Sequence, residues 1–115
     1  GSCIEAKNED AIDAATAISG SGPGYFFYFA EKITESAISL GFSESDANLL
    51  VQKTIRGSAL LWEKRGIPPK ELKDRVSSPG GTTLAALDHF NSKKVGKSIK
   101  EGIKKAYERA KELSS

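Results

Sequence analysis

Apolar residues recur at intervals of three and four along most of the chain, and glycine, proline and serine clusters separate the periodic stretches into five or six helices with no convincing strand. The first predicted helix runs from about Asn8, a potential N-cap followed by acidic residues, to Ile18, where Ser19-Gly20-Ser21-Gly22 reads as a sharp bend. Pro23 suits the first turn of a second helix, which extends to Leu40 and ends at Gly41, able to adopt a left-handed C-terminal cap. Five consecutive aromatics, Tyr25 to Phe29, open that helix and point to every side of it. A buried strand is the alternative for these five, but Ala30, Glu31, Lys32 and Ile33 continue at helical spacing.

Ser43, with Asp46 three residues on, marks the start of a long helix to about Arg65, closed by Gly66. At 1.5 Å per residue it is about 30 Å long. Leu49, Leu50, Val51, Ile55, Ala59, Leu60, Leu61 and Trp62 exceed a single stripe, while Gly57 and Ser58 leave a shallow place where another backbone can approach. Pro68-Pro69 begins a short helix carrying Leu72 and Val76, the loop 77–81 leads through Thr82-Thr83 into Leu84-Ala85-Ala86-Leu87, and Asn91 or Ser92 is expected to cap the last helix. That helix places Val95, Ile99, Ile103, Ala106, Ala110 and Leu113 on one face. Two long helices with too much apolar surface for one small chain predict an obligate partner, most economically a second copy.

With 115 residues the chain fits one domain, and 28% charged with 38% hydrophobic residues is the balance of a soluble globular protein. No apolar run reaches the roughly 20 residues of a membrane span. Gly1–Lys7 are expected to be an expression scar and linker, with the helical domain from 8 to 115. The single cysteine, Cys3, excludes a disulfide framework and favours a reducing, cytoplasmic compartment. Net charge is +2, but residues 93–115 carry eight basic and three acidic side chains, a net of +5. Interleaving with Glu101, Glu108 and Glu112 makes them a solvated face rather than a nucleic-acid surface.

Little else carries chemistry. There is no P-loop, Gly20-Ser21-Gly22-Pro23-Gly24 lacks the spacing of a dinucleotide turn, and the lone His89 has no metal-ligand pattern around it, so no metal is expected. The parts for serine or cysteine nucleophilic catalysis are missing as well. The candidate site is Ser78-Pro79-Gly80-Gly81-Thr82-Thr83, where glycines let backbone N–H groups crowd a ligand and the following helix turns its positive end toward it. The threonine hydroxyls can cap their own helix or face a bound anion, and the motif alone does not choose.

Two stretches, Ser19-Gly20-Ser21-Gly22-Pro23-Gly24-Tyr25 and Leu72-Lys73-Asp74-Arg75-Val76-Ser77-Ser78-Pro79-Gly80-Gly81-Thr82-Thr83, resemble the signatures of the pyrroline-5-carboxylate reductase family. The closing Tyr107-Glu108-Arg109-Ala110-Lys111-Glu112-Leu113 fits as well, whereas Gly24 stands where alanine is usual. The resemblance implies an interlocked homodimer, or a higher oligomer, of the kind formed by the C-terminal domain of 6-phosphogluconate dehydrogenase. It also implies an upstream Rossmann domain that binds NADPH or NADH, so that no cofactor is expected on this stretch alone. The implied substrate is 1-pyrroline-5-carboxylate, held by Ser78, Gly80, Gly81, Thr82 and Thr83, with Thr83 as the catalytic hydroxyl that meets the ring nitrogen. A non-catalytic dimerisation module of the same fold is the rival reading.

Overall fold

The computed structural model describes residues 8–115, which are helical apart from short turns; the expectations for Gly1–Lys7, Cys3 among them, lie outside the described residues. The helices are α1 (Glu9–Ala15), α2 (Gly22–Ser39), α3 (Glu44–Arg65), α4 (Pro69–Arg75), α5 (Thr82–Ser92) and α6 (Val95–Ser114), and a π-helical turn, Thr16–Gly20, links α1 to α2. The chain divides into two compact units. One comprises the described residues up to Phe27 together with Asn91–Ser115, the other Tyr28–Phe90.

In the first unit, α6 packs on α1 and on the π-helical turn. Asn8 caps α1 by accepting the Ala11 N–H at 2.8 Å. The Ser19-Gly20-Ser21-Gly22 stretch, expected as a sharp bend, runs from the end of the π-helical turn through Ser21 into the first residue of α2. The Ser21 N–H reaches five residues back to the Thr16 carbonyl at 2.8 Å. Thr16 and Ser19 hydroxyls donate to the Ile12 and Ala15 carbonyls, and the Tyr25 hydroxyl donates to the Ala17 carbonyl at 2.7 Å. These hydroxyls add to the backbone bonds of the segment, since the Thr16 N–H itself already reaches the Ile12 and Asp13 carbonyls.

Ala17, Gly22 and Ala110 are buried in this unit, and so is the carboxylate of Asp13, which accepts a hydrogen bond from the Ser114 hydroxyl at 3.0 Å. One turn away the Tyr107 hydroxyl donates to Asp10, and Lys111 lies 4.0 Å from the same carboxylate and 5.3 Å from the centre of the Tyr107 ring. A polar seam therefore ties the first helix to the last across about a hundred residues of sequence. The lysine-rich face of α6 is laced by Lys97–Glu101, Lys105–Glu108 and Arg109–Glu112 pairs, the last at 2.8 Å. Its N-cap is Lys94 in the left-handed region, not Asn91 or Ser92. Helix α5 runs on through Ser92, and Lys94, at φ +58°, directly precedes α6.

In the second unit, α2 ends in a Schellman motif: the Phe42 N–H bonds the Ala37 carbonyl, the Gly41 N–H bonds the Ile38 carbonyl, and Gly41 has φ +110°. Ser43 caps α3 by accepting the Asp46 N–H at 3.1 Å. Gly66, at φ +63°, ends it with its N–H on the Trp62 carbonyl. The buried side chains of α3 are only Ala47 and Val51. Tyr28 is 65% exposed, Leu60 52% and Trp62 49%, and Leu49, Leu50, Ile55 and Leu61 are exposed with them. Among the described residues, no two helices of this unit share an extended packing face. A Cβ placed on Gly57 would meet nothing within 4 Å, so the shallow place on α3 is open within the chain itself.

The Asp10 seam carries a pH signature. The hydrogen bond to Asp10, then desolvation and the negative charge of that carboxylate, hold the Tyr107 phenol above its ordinary range. A folded pKa raised above the unfolded one stabilises fully below about pH 10, and the contribution is lost as pH climbs through the folded value. Asp10→Asn should therefore bring Tyr107 ionisation to lower pH in an ultraviolet tyrosinate titration, with Tyr107→Phe identifying the band. An unchanged titration would mean that the seam does not persist in solution.

Candidate anion-receiving turn

The loop between α4 and α5 lies wholly in the second unit. Pro69 starts α4, and Lys70–Asp74 and Glu71–Arg75 pairs, both at 3.0 Å, brace its exposed surface at i,i+4 spacing. The hydrogen bond from Lys70, with its positive charge, holds the Asp74 carboxyl below its usual range. At the helix end the Ser77 hydroxyl donates to the Lys73 carbonyl at 2.6 Å. Ser78-Pro79-Gly80-Gly81 then forms a turn closed by the Gly81 N–H on the Ser78 carbonyl at 2.9 Å. Proline fixes φ at the second position and Gly80 supplies φ +73° at the third, the combination a type II turn demands. Gly81 has its own reason for lacking a side chain: a Cβ there would lie 3.1 Å from the Ser78 carbonyl oxygen.

Helix α5 begins at Thr82, and its first intrahelical bond is Ala85 N–H to the Gly81 carbonyl at 3.2 Å. The N–H groups of Thr82, Thr83 and Leu84 precede it and have no partner within the helix, so they point from its positive end. The candidate residues Ser78, Gly80, Gly81, Thr82 and Thr83 are thus brought together by one turn and one helix start. Their contributions differ, because Pro79 has no N–H and that of Gly81 is committed to the turn. Ser78, Gly80, Thr82 and Thr83 are exposed. The two threonines stand exposed at the first positions of the helix, where their hydroxyls can meet a ligand or the backbone of their own helix. What the loop offers is a short arc of N–H donors and two hydroxyls suited to a carboxylate.

Residues for a dinucleotide are a different matter. The described residues contain no strand, hence no strand-turn-helix cradle of the dinucleotide-binding kind among them. No group of three or more His, Cys, Asp or Glu among the described residues could hold a metal ion, and no described helix is long and apolar enough to cross a membrane. The tie from Ser77 to Lys73 is the element that pattern reading passed over; a serine one turn after the helix residue it bonds was the available signal.

The fold defines an all-helical domain built on long helices with apolar faces, with the turn at Ser78–Thr83 as its candidate site. Residues 9–113 match the family model described as pyrroline-5-carboxylate reductase dimerisation, and the chain belongs to that family. It is similar to the pyrroline-5-carboxylate reductase of Pseudomonas aeruginosa, with 37% identity over 93% of this chain and 39% of that protein. It also resembles the crystal structure of Plasmodium falciparum pyrroline carboxylate reductase with NADP bound, at a TM-score of 0.88 and 33% identity over 94% of this chain and 41% of that one. The pyrroline-5-carboxylate reductase from Coxiella burnetii gives the same TM-score, 0.88, at 36% identity, covering 95% of this chain and 40% of the other. The chain therefore spans about two-fifths of the length of these relatives.

The turn makes a stability prediction independent of any ligand. Gly80→Ala forces a Cβ into a left-handed conformation and should cost about 1 kcal/mol, read as a lower urea midpoint. A variant with the wild-type midpoint would show that Gly80 does not hold φ +73° in solution.

Proposed function

We propose that the chain is the dimerisation and substrate-binding part of a pyrroline-5-carboxylate reductase, which reduces 1-pyrroline-5-carboxylate to L-proline with NADPH or NADH. The observation that carries this reading is the Ser78–Thr83 turn, a carboxylate-sized set of donors in a chain of this family. The nicotinamide cofactor supplies the hydride and is held mainly by the Rossmann part of the relatives, outside this stretch. The substrate carboxylate sits at the N–H groups of Thr82, Thr83 and Leu84, with Gly80 and the Ser78 hydroxyl completing the cradle. Gly81 serves by geometry, its N–H being spent on the turn. Thr83 directs its hydroxyl to the ring nitrogen as the C=N bond becomes an amine, and so works as the catalytic side chain. Such a protein acts in the cytoplasm, touches neither nucleic acid nor membrane, and works as a homodimer.

Dimerisation is supported by surface. Large aromatic and aliphatic side chains stand exposed: Phe26, Phe27, Tyr28 and Leu40 of the α2 region, and Leu49, Leu60 and Trp62 of α3. Light scattering should give twice the chain mass at micromolar concentration, and the melting temperature should rise with concentration. A stable monomer would refute the arrangement.

The catalytic assignment is tested in the enzyme that joins this chain to its Rossmann half. Thr83→Ala should lower kcat by about ten-fold or more, on the order of 1.4 kcal/mol, with little change in melting. Thr83→Ser should recover much of the rate. Normal turnover with markedly earlier melting would make Thr83 a structural residue and leave the substrate to the backbone donors.

A further inference from the structure

Helix α4 is short, has no buried residue, and ends in long backbone bonds: Val76 N–H shares the Leu72 and Lys73 carbonyls at 3.3 Å each, and Ser77 N–H reaches Asp74 at 3.2 Å. Against these the 2.6 Å bond from the Ser77 hydroxyl to the Lys73 carbonyl is the tightest link between the helix and the loop. Ser77 is half-buried, whereas its neighbours Val76 and Ser78 are exposed. The turn is closed on its other side by Gly81 N–H on the Ser78 carbonyl. The two ties thus fall on adjacent residues, Ser77 and Ser78.

We infer that Ser77 is a positioning residue for substrate: its hydroxyl locks the base of the turn to α4 and so fixes the direction of the Ser78 and Gly80 groups that meet the carboxylate. The inference rests on the reductase reading. Its physical basis is that residues 77 and 78 belong to no regular element, so without the hydroxyl the turn is joined to α4 only by the weak terminal bonds of that helix. Gly81 cooperates from the far side, because its missing Cβ lets the Ser78 carbonyl come close enough to accept. Threonine can replace serine in this task, as the hydroxyls of Thr34 and Thr54 bond the carbonyl four residues back at 2.8 and 2.7 Å in the same chain.

The test uses the full-length enzyme. Ser77→Ala should raise KM for pyrroline-5-carboxylate about five-fold or more while KM for the nicotinamide cofactor stays the same, and Ser77→Thr should restore the substrate KM. Gly81→Ala should move the substrate KM in the same direction by displacing the Ser78 carbonyl. An unchanged substrate KM in Ser77→Ala, or a loss that appears only as a lower melting temperature, would overturn the inference while leaving the reductase reading intact. A wild-type enzyme that does not reduce the substrate would remove the reductase reading, and the positioning role with it.

Discussion

The structure depends above all on the burial of apolar surface that one copy of the chain does not achieve. Helices α2 and α3 place aromatic and aliphatic side chains around much of their circumference, and the unit that contains most of them buries only small or branched residues, Ala47 and Val51. Hydrophobic free energy scales with apolar area removed from water at about 25 cal/mol per Å². Phenylalanines and a tryptophan left half or more exposed therefore represent a driving force still available for association. Local order is supplied separately, by the Schellman motif at Gly41, the Ser43 cap and the left-handed Gly66, which define where each long helix stops.

Polar contacts do different work in the two units. Around α1 and α6, Asp10 and Asp13 anchor Tyr107, Lys111 and Ser114, so a small, alanine-rich contact surface gains direction from hydrogen bonds. A buried carboxylate such as Asp13 is tolerable only because a hydroxyl meets it. Around α4 the ion pairs are exposed and individually weak, and the precise geometry comes instead from a proline, two glycines and the Ser77 hydroxyl. Stiffness is thereby concentrated at the turn that presents donors, in a helix that otherwise has little to hold it.

The long helices, their ends and the glycine-rich turn are legible from local rules, because a cap, a left-handed glycine or a Pro-Gly turn involves residues within four or five of each other. The excess of apolar residues in α2 and α3 is equally a matter of counting, and the turn at Ser78–Thr83 is recognisable from residue types alone. What only the tertiary structure decided is finer. The Ser-Gly segment after α1 opens as a π-helical turn, with the Thr16, Ser19 and Tyr25 hydroxyls bonded to nearby carbonyls, a detail that composition cannot supply. Lys94, and not Asn91 or Ser92, caps α6, because α5 continues through Ser92. The pairing of Asp10 with Tyr107 joins positions 97 residues apart, beyond any periodicity. Within the turn, only the folded backbone reveals that the Gly81 N–H is spent internally while Thr82, Thr83 and Leu84 keep theirs, since which donor is free depends on where every neighbouring carbonyl has come to rest.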